Sequence, residues 1–133
     1  MGSSRSILTT LGETEIEVLN IVWRLGRASV SEVRDVIGRD LAHNTVQTVM
    51  RNLSRKGYLA AELVGKTHFY TPRKREEQVK RGILRRMVAS VFGGSQLELI
   101  RALVAEEKDL GPEEVEELRR LVARLDERSE DTP

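Results

Sequence analysis

The sequence predicts a mainly α fold with a small β-hairpin, arranged as a winged helix-turn-helix domain followed by a helical dimerisation domain, and three observations carry that reading. Three short amphipathic segments follow one another, each stopped by a glycine, at Gly26, Gly38 and Gly57. The apolar period then switches from helical to alternating across residues 58–71, around the turn pair Gly65-Lys66. Beyond Arg75 helical spacing returns and ends in an apolar repeat of three, four and three residues, the seam of a coiled coil.

The first helix is expected over residues 14–25, with Ile16, Leu19, Val22 and Trp23 inward. Thr14 and Glu17 have capping-box spacing, and Gly26 suits the left-handed stop. A shorter helix should begin at Ser29 or Ser31, turn Val33, Val36 and Ile37 inward and stop at Gly38; Ser29 with Glu32 again has capping-box spacing. The third helix runs from Ala42 or His43 to Lys56. Val46, Val49 and Leu53 form its buried stripe, which leaves Asn44, Thr45, Gln47, Thr48, Arg51 and Arg55 to face elsewhere. Residues 58–64 and 67–71 make the hairpin, and Pro72 ends its second strand because proline cannot donate to a ladder. Arg73, Lys74 and Arg75 form a basic junction.

After the junction a helix over residues 76–92 carries Val79, Ile83, Met87 and Val91 on one face and breaks at Gly93-Gly94. The next, from Ser95 to about residue 107, presents Leu97, Ile100, Leu103 and Val104. Pro112 suits the first turn of a last helix reaching about Arg128, in which Val115, Leu118, Val122 and Leu125 make the seam and Leu121 widens it. Three helices without aromatic bulk bury too little surface to offset their ordering entropy, and a two-fold dimer remedies that. Ile83, Met87, Val91, Ile100, Val104, Val115, Leu118, Val122 and Leu125 are the expected dimerisation residues. The domains are therefore a disordered start over 1–10, the winged helix over 11–73, the dimerisation region over 74–128 and a disordered tail over 129–133.

Composition narrows the function. The 133 residues include no cysteine, which removes disulfides and thiolate metal sites. No apolar run approaches ~18 residues and no charged-then-apolar leader opens the chain, so a soluble cytoplasmic protein is expected. Residues 1–75 hold 12 Lys or Arg against 7 Asp or Glu, whereas residues 76–133 hold 10 against 14. A basic half joined to an acidic half suggests that the first meets a polyanion.

A polar face on a lone amphipathic helix is by default a solvated surface. Here the preceding short helix and following hairpin give the third helix a second meaning, since amide, hydroxyl and guanidinium groups suit base edges and phosphates. His43, Asn44, Thr45, Gln47, Thr48, Arg51, Arg55 and Lys66 are the expected DNA-binding residues, with His43 near phosphate and Lys66 at the wing tip. Trp23, Tyr58 and one of Phe69 or Tyr70 are expected to pack the core, because the rings are too scattered for a stacking platform. Two histidines on separate elements make no metal site, no cofactor is expected, and no nucleophile elbow, phosphate loop or paired-carboxylate cleft can be assembled, so catalysis is not expected. The competing reading is a winged-helix protein-protein interaction module.

The chain resembles the penicillinase-repressor family of bacterial winged-helix regulators. The likeness lies in Leu11, Glu15-Ile16-Glu17-Val18-Leu19, Trp23, Val30-Ser31-Glu32-Val33, Thr45-Val46-Gln47-Thr48-Val49, Asn52-Leu53-Ser54-Arg55-Lys56-Gly57-Tyr58, Tyr70 and Pro72, and continues in Val91-Phe92-Gly93-Gly94-Ser95 and Glu113-Glu114-Val115-Glu116-Glu117-Leu118. The resemblance implies a homodimer on a palindromic double-stranded operator, repressing genes of antibiotic resistance or stress. It implies that the third helix enters the major groove, with Thr45, Gln47 and Thr48 where bases are read. Asn44, Arg51 and Lys66 are then expected to make phosphate or mixed contacts, assisted by Arg55 and Lys56. Antibiotic-responsive members are released by a regulatory protease at an Asn-Phe bond, where this chain has Leu103-Val104, so the resemblance does not extend that signal to it. The cysteine cluster of the copper-responsive branch is absent.

Overall fold

The computed structural model describes residues 10–106 and 110–131, with side chains described as far as Arg128. The expected disordered start therefore lies outside the described residues except for Thr10, as do the last two residues of the expected tail. The elements are α1 (Glu13–Leu25), β1 (Ala28–Ser29), α2 (Val30–Val36), α3 (His43–Arg55), β2 (Leu59–Val64), β3 (Thr67–Pro72), α4 (Glu76–Val91), α5 (Gln96–Ala105) and α6 (Pro112–Asp131). They divide into two compact units, Met1–Gly94 and Ser95–Pro133, so α4 groups with the winged helix.

Helix α1 starts one residue before its expected position. Gly12 is its N-cap, and Glu15 rather than Glu17 closes the first turn, accepting from the Gly12 N–H at 2.8 Å. Thr14 and Glu17 serve elsewhere: both accept from Arg39, at 3.0 and 2.9 Å. That contact and the Glu17 charge push the Arg39 guanidinium above its ordinary range. Gly26 stops the helix at φ 81°, a conformation that side chains with a Cβ rarely adopt. In α2 the expected box forms, with Glu32 N–H donating to Ser29 Oγ and Ser29 N–H donating to Glu32 Oε1.

Two inward assignments change. Val36 is 42% exposed, because α2 ends there and Ile37 leaves the helix in an extended conformation that turns its own side chain into the core. In α3 the fully buried residues are Val46, Met50 and Leu53, with Val49 only half-buried. Steps of four then three trace an equally good stripe, and the flexible thioether of Met50 fills the space between helices.

The hairpin forms as expected, but the sheet has three strands in the order β1-β3-β2. Leu59 lies opposite Pro72 and Val64 opposite Thr67 across the hairpin, while Ala28 and Ser29 pair antiparallel with Tyr70 and Phe69. This β1 strand ties the entry to α2 onto the wing. Leu11, Val18, Leu19, Val22, Val33, Val46, Met50, Leu53 and Leu59 are essentially inaccessible and form one core. Each such burial contributes roughly 1.5–3 kcal/mol. Tyr70 is buried, whereas Trp23 and Tyr58 are half-buried at the core's edge, and the Trp23 indole N–H donates to the Lys74 carbonyl at 3.0 Å. Val79 and Ile83 of α4 pack on the same core.

The second unit holds α5 and α6. Ser95 caps α5 by accepting from the Glu98 N–H, and α6 continues to Asp131, past the expected end near Arg128 and into the expected tail. Leu99, not on the expected stripe, is the buried residue of α5, while Leu97, Ile100, Leu103 and Val104 are all exposed.

Candidate nucleic-acid interface

Helix α3 has an N-terminus unlike those of the other helices. Its N-cap is Ala42, which offers no side-chain acceptor, and its first turn carries no acidic residue. Among the described residues, each of the other five helices has at least one carboxylate there. Carboxylates at such positions neutralise the positive end of the helix dipole. At α3 that end stays electropositive, with amide groups open to an outside acceptor.

The wing is brought alongside by the 2.9 Å hydrogen bond from Tyr58 N–H to the Leu53 carbonyl and by the turn at Gly65, whose φ is 63°. Between helix and wing lies a groove of about 490 Å³. His43, Gln47, Arg51 and Ser54 line it from α3, Ser29, Val30 and Ser31 from the start of α2, and Ala61, Lys66, Thr67, His68 and Tyr70 from the hairpin. The register explains the hairpin share, since Ala61 and Tyr70 face each other across the ladder. Two cations, two imidazoles, three serines and a threonine thus meet with no carboxylate among them. Such a lining accepts anionic oxygens and offers donors to base edges.

Of the expected DNA-binding residues, His43, Gln47, Arg51 and Lys66 share this groove. Asn44, Thr45 and Thr48 are exposed on α3 but do not line it. Arg55 is exposed too, although its Nη2 donates to Asn52 Oδ1 at 2.6 Å. Lys56 does not join them: its Nζ is held by both Glu15 carboxylate oxygens, at 2.8 and 2.9 Å, and by the Thr10 carbonyl at 3.0 Å. Residue patterning did not single out Ser31, Ser54 or Thr67 for the groove; Ser54 follows Gln47 and Arg51 at helical spacing on α3, whereas the β1 pairing and the hairpin register bring Ser31 and Thr67 there. Arg27, also unforeseen, stacks 4.2 Å from the Phe69 ring centroid on the wing.

Among the expected dimerisation residues, Val91, Ile100, Val104, Leu118, Val122 and Leu125 are exposed and Met87 and Val115 half-buried, while Ile83 packs on the core of the first unit. Within the second unit Ile100, Leu103, Val104, Leu110, Leu118 and Leu121 line an apolar groove of about 560 Å³.

Known proteins share both sequence and fold with this chain. A family profile described as "Penicillinase repressor" matches residues 11–124. The methicillin resistance regulatory protein MecI of Mammaliicoccus sciuri is 28% identical over 114 residues, 84% of this chain and 92% of that protein. The transcriptional regulator BlaI of Mycobacterium tuberculosis is 29% identical over 122 residues, 90% of this chain and 87% of its own length. Among solved structures, a mutant MarR from E. coli matches with a TM-score of 0.51 at 14% identity, over 86% of this chain and 77% of that one, a likeness of fold.

Proposed function

The chain belongs to the penicillinase repressor family, and from that premise we propose that this DNA-binding transcriptional repressor works as a homodimer, each copy seating α3 in the major groove of one half of a palindromic operator. The single observation that carries the reading is the carboxylate-free groove between α3 and the wing, where Arg51, Lys66, Gln47, His43 and His68 converge beside an uncapped helix N-terminus. Thr45, Gln47 and Thr48 read bases, Asn44, Arg51 and Lys66 hold phosphates, and Arg55 assists from the far end of the helix. The charge distribution supports this assignment. Residues 1–94 hold 16 Lys or Arg against 9 Asp or Glu, whereas residues 95–133 hold 6 against 12, so the positive field belongs to the unit that bears the groove.

Dimerisation rests on the second unit, where the exposed Leu97, Ile100, Leu103, Leu121, Val122 and Leu125 are more apolar surface than two helices leave to water without a partner. The names of the relatives point to resistance genes as the regulated class, and Leu103-Val104 argues for a signal other than cleavage at an Asn-Phe bond. A gel-shift titration against the promoter of the protein's own operon tests the proposal. Retarded complexes should form there at moderate salt in preference to a random duplex, and equal affinity for both overturns it.

A further inference from the structure

We propose that the cleft between the base of the wing and α4 is a binding site for a small amphipathic carboxylate. The cleft has a volume of about 230 Å³, the share of roughly eight water molecules and enough for one ring bearing a carboxyl group. Lys74 reaches it from the junction after the wing and Arg86 and Gln78 from α4, and its lining contains no Asp or Glu. Among the described residues neither cation forms an ion pair. Lys74 is nonetheless held in place, with its Nζ 4.3 Å from the Tyr58 ring centroid. One held ammonium, a guanidinium and an amide suit a carboxylate, which a guanidinium grips through paired N–H donors. Val79 and Ile83 supply an apolar wall, which favours a ligand with a hydrocarbon body over an inorganic anion.

Gly82 offers a position from which to block the cleft. It lies in the interior of α4, where glycine costs roughly 1 kcal/mol against alanine. No close contact explains it, since a Cβ built there meets no described atom within 4 Å and its φ is not positive. Gly82 does line the cleft, so a larger side chain there would take up the space that the ligand needs.

The site is independent of the DNA reading and is tested on the free 133-residue chain. Titration with sodium benzoate, followed by 15N–1H spectra, should give saturable shifts at Lys74 and across residues 78–86. Gly82→Leu should abolish them in a protein whose spectrum stays dispersed. Arg86→Gln, a surface change, should weaken binding about tenfold, the loss expected of one charge-assisted contact. No saturable shift in the parent protein overturns the proposal. So does undiminished binding by both variants, and so do equal shifts from sodium phosphate at matched ionic strength, which would mean that the two cations collect any anion.

Discussion

Lys56 and Arg51 lie little more than one helical turn apart, at the end of α3 and within it, and answer to different demands. The Lys56 ammonium is 26% exposed and its Glu15 partner 12%, so the pair is a tie between the end of α3 and the start of α1. Removing Lys56 leaves a half-buried carboxylate without its cation, a loss larger than that of an exposed pair. Lys56→Ala should lower unfolding free energy by about 1–2 kcal/mol in urea melts and leave the salt dependence of DNA binding unchanged. Arg51 is exposed, lines the groove and forms no ion pair among the described residues. Arg51→Ala should therefore leave the urea midpoint in place while weakening operator binding by about 1–3 kcal/mol, read by fluorescence anisotropy. Coincident losses of stability and affinity in either variant would refute this division.

At the scale of elements, legibility followed locality. Capping residues, glycine stops and apolar spacing are written within a few positions of one another, and the helices and hairpin lie within a few residues of where those signals put them. The β1 strand was not legible, because Ala28–Ser29 is too short to show a period and exists only through pairing with Tyr70 and Phe69, some 40 residues away. Met50 and Val49 were ambiguous for another reason: steps of three and four both keep a helical stripe, and only the packing of α3 against α1, α2 and β2 chooses between them. The groove divides the same way. His43, Gln47, Arg51 and Lys66 announce themselves by residue type and position, and Ser54 shares their helix face at a spacing of three from Arg51, whereas Ser31 and Thr67 reach the groove through tertiary contacts. The wing's share of binding is testable on its own. Lys66 is exposed beside the positive-φ Gly65, so Lys66→Ala should weaken binding to all duplex sequences alike and reduce the slope of log affinity against log salt by about 1. A loss confined to the operator sequence would instead make Lys66 a base-reading residue.

Across the whole molecule, DNA binding and self-association should respond to salt in opposite directions. The segment 95–133 carries a net charge of −6, so two copies meeting through it repel each other at low ionic strength. Ion pairs within α6, Arg119–Glu116 and Arg120–Glu117, soften that repulsion locally without removing it. The attraction must then come from apolar contact, which salt does not screen. Raising salt from about 0.05 to about 0.5 M shortens the screening length roughly threefold, so the dimer should tighten in sedimentation equilibrium while operator affinity falls. Leu125 is 56% exposed and Leu118 37%, so an aspartate at Leu125 removes little packing within one copy but places a charge in the seam. Leu125→Asp and Leu118→Asp should both yield monomers that keep full helical ellipticity and lose the advantage of a palindrome over a single half-site. A Leu125→Asp protein that still sediments as a dimer would move the interface off α6. A dimer that loosens as salt rises would replace the apolar seam with one held by opposite charges.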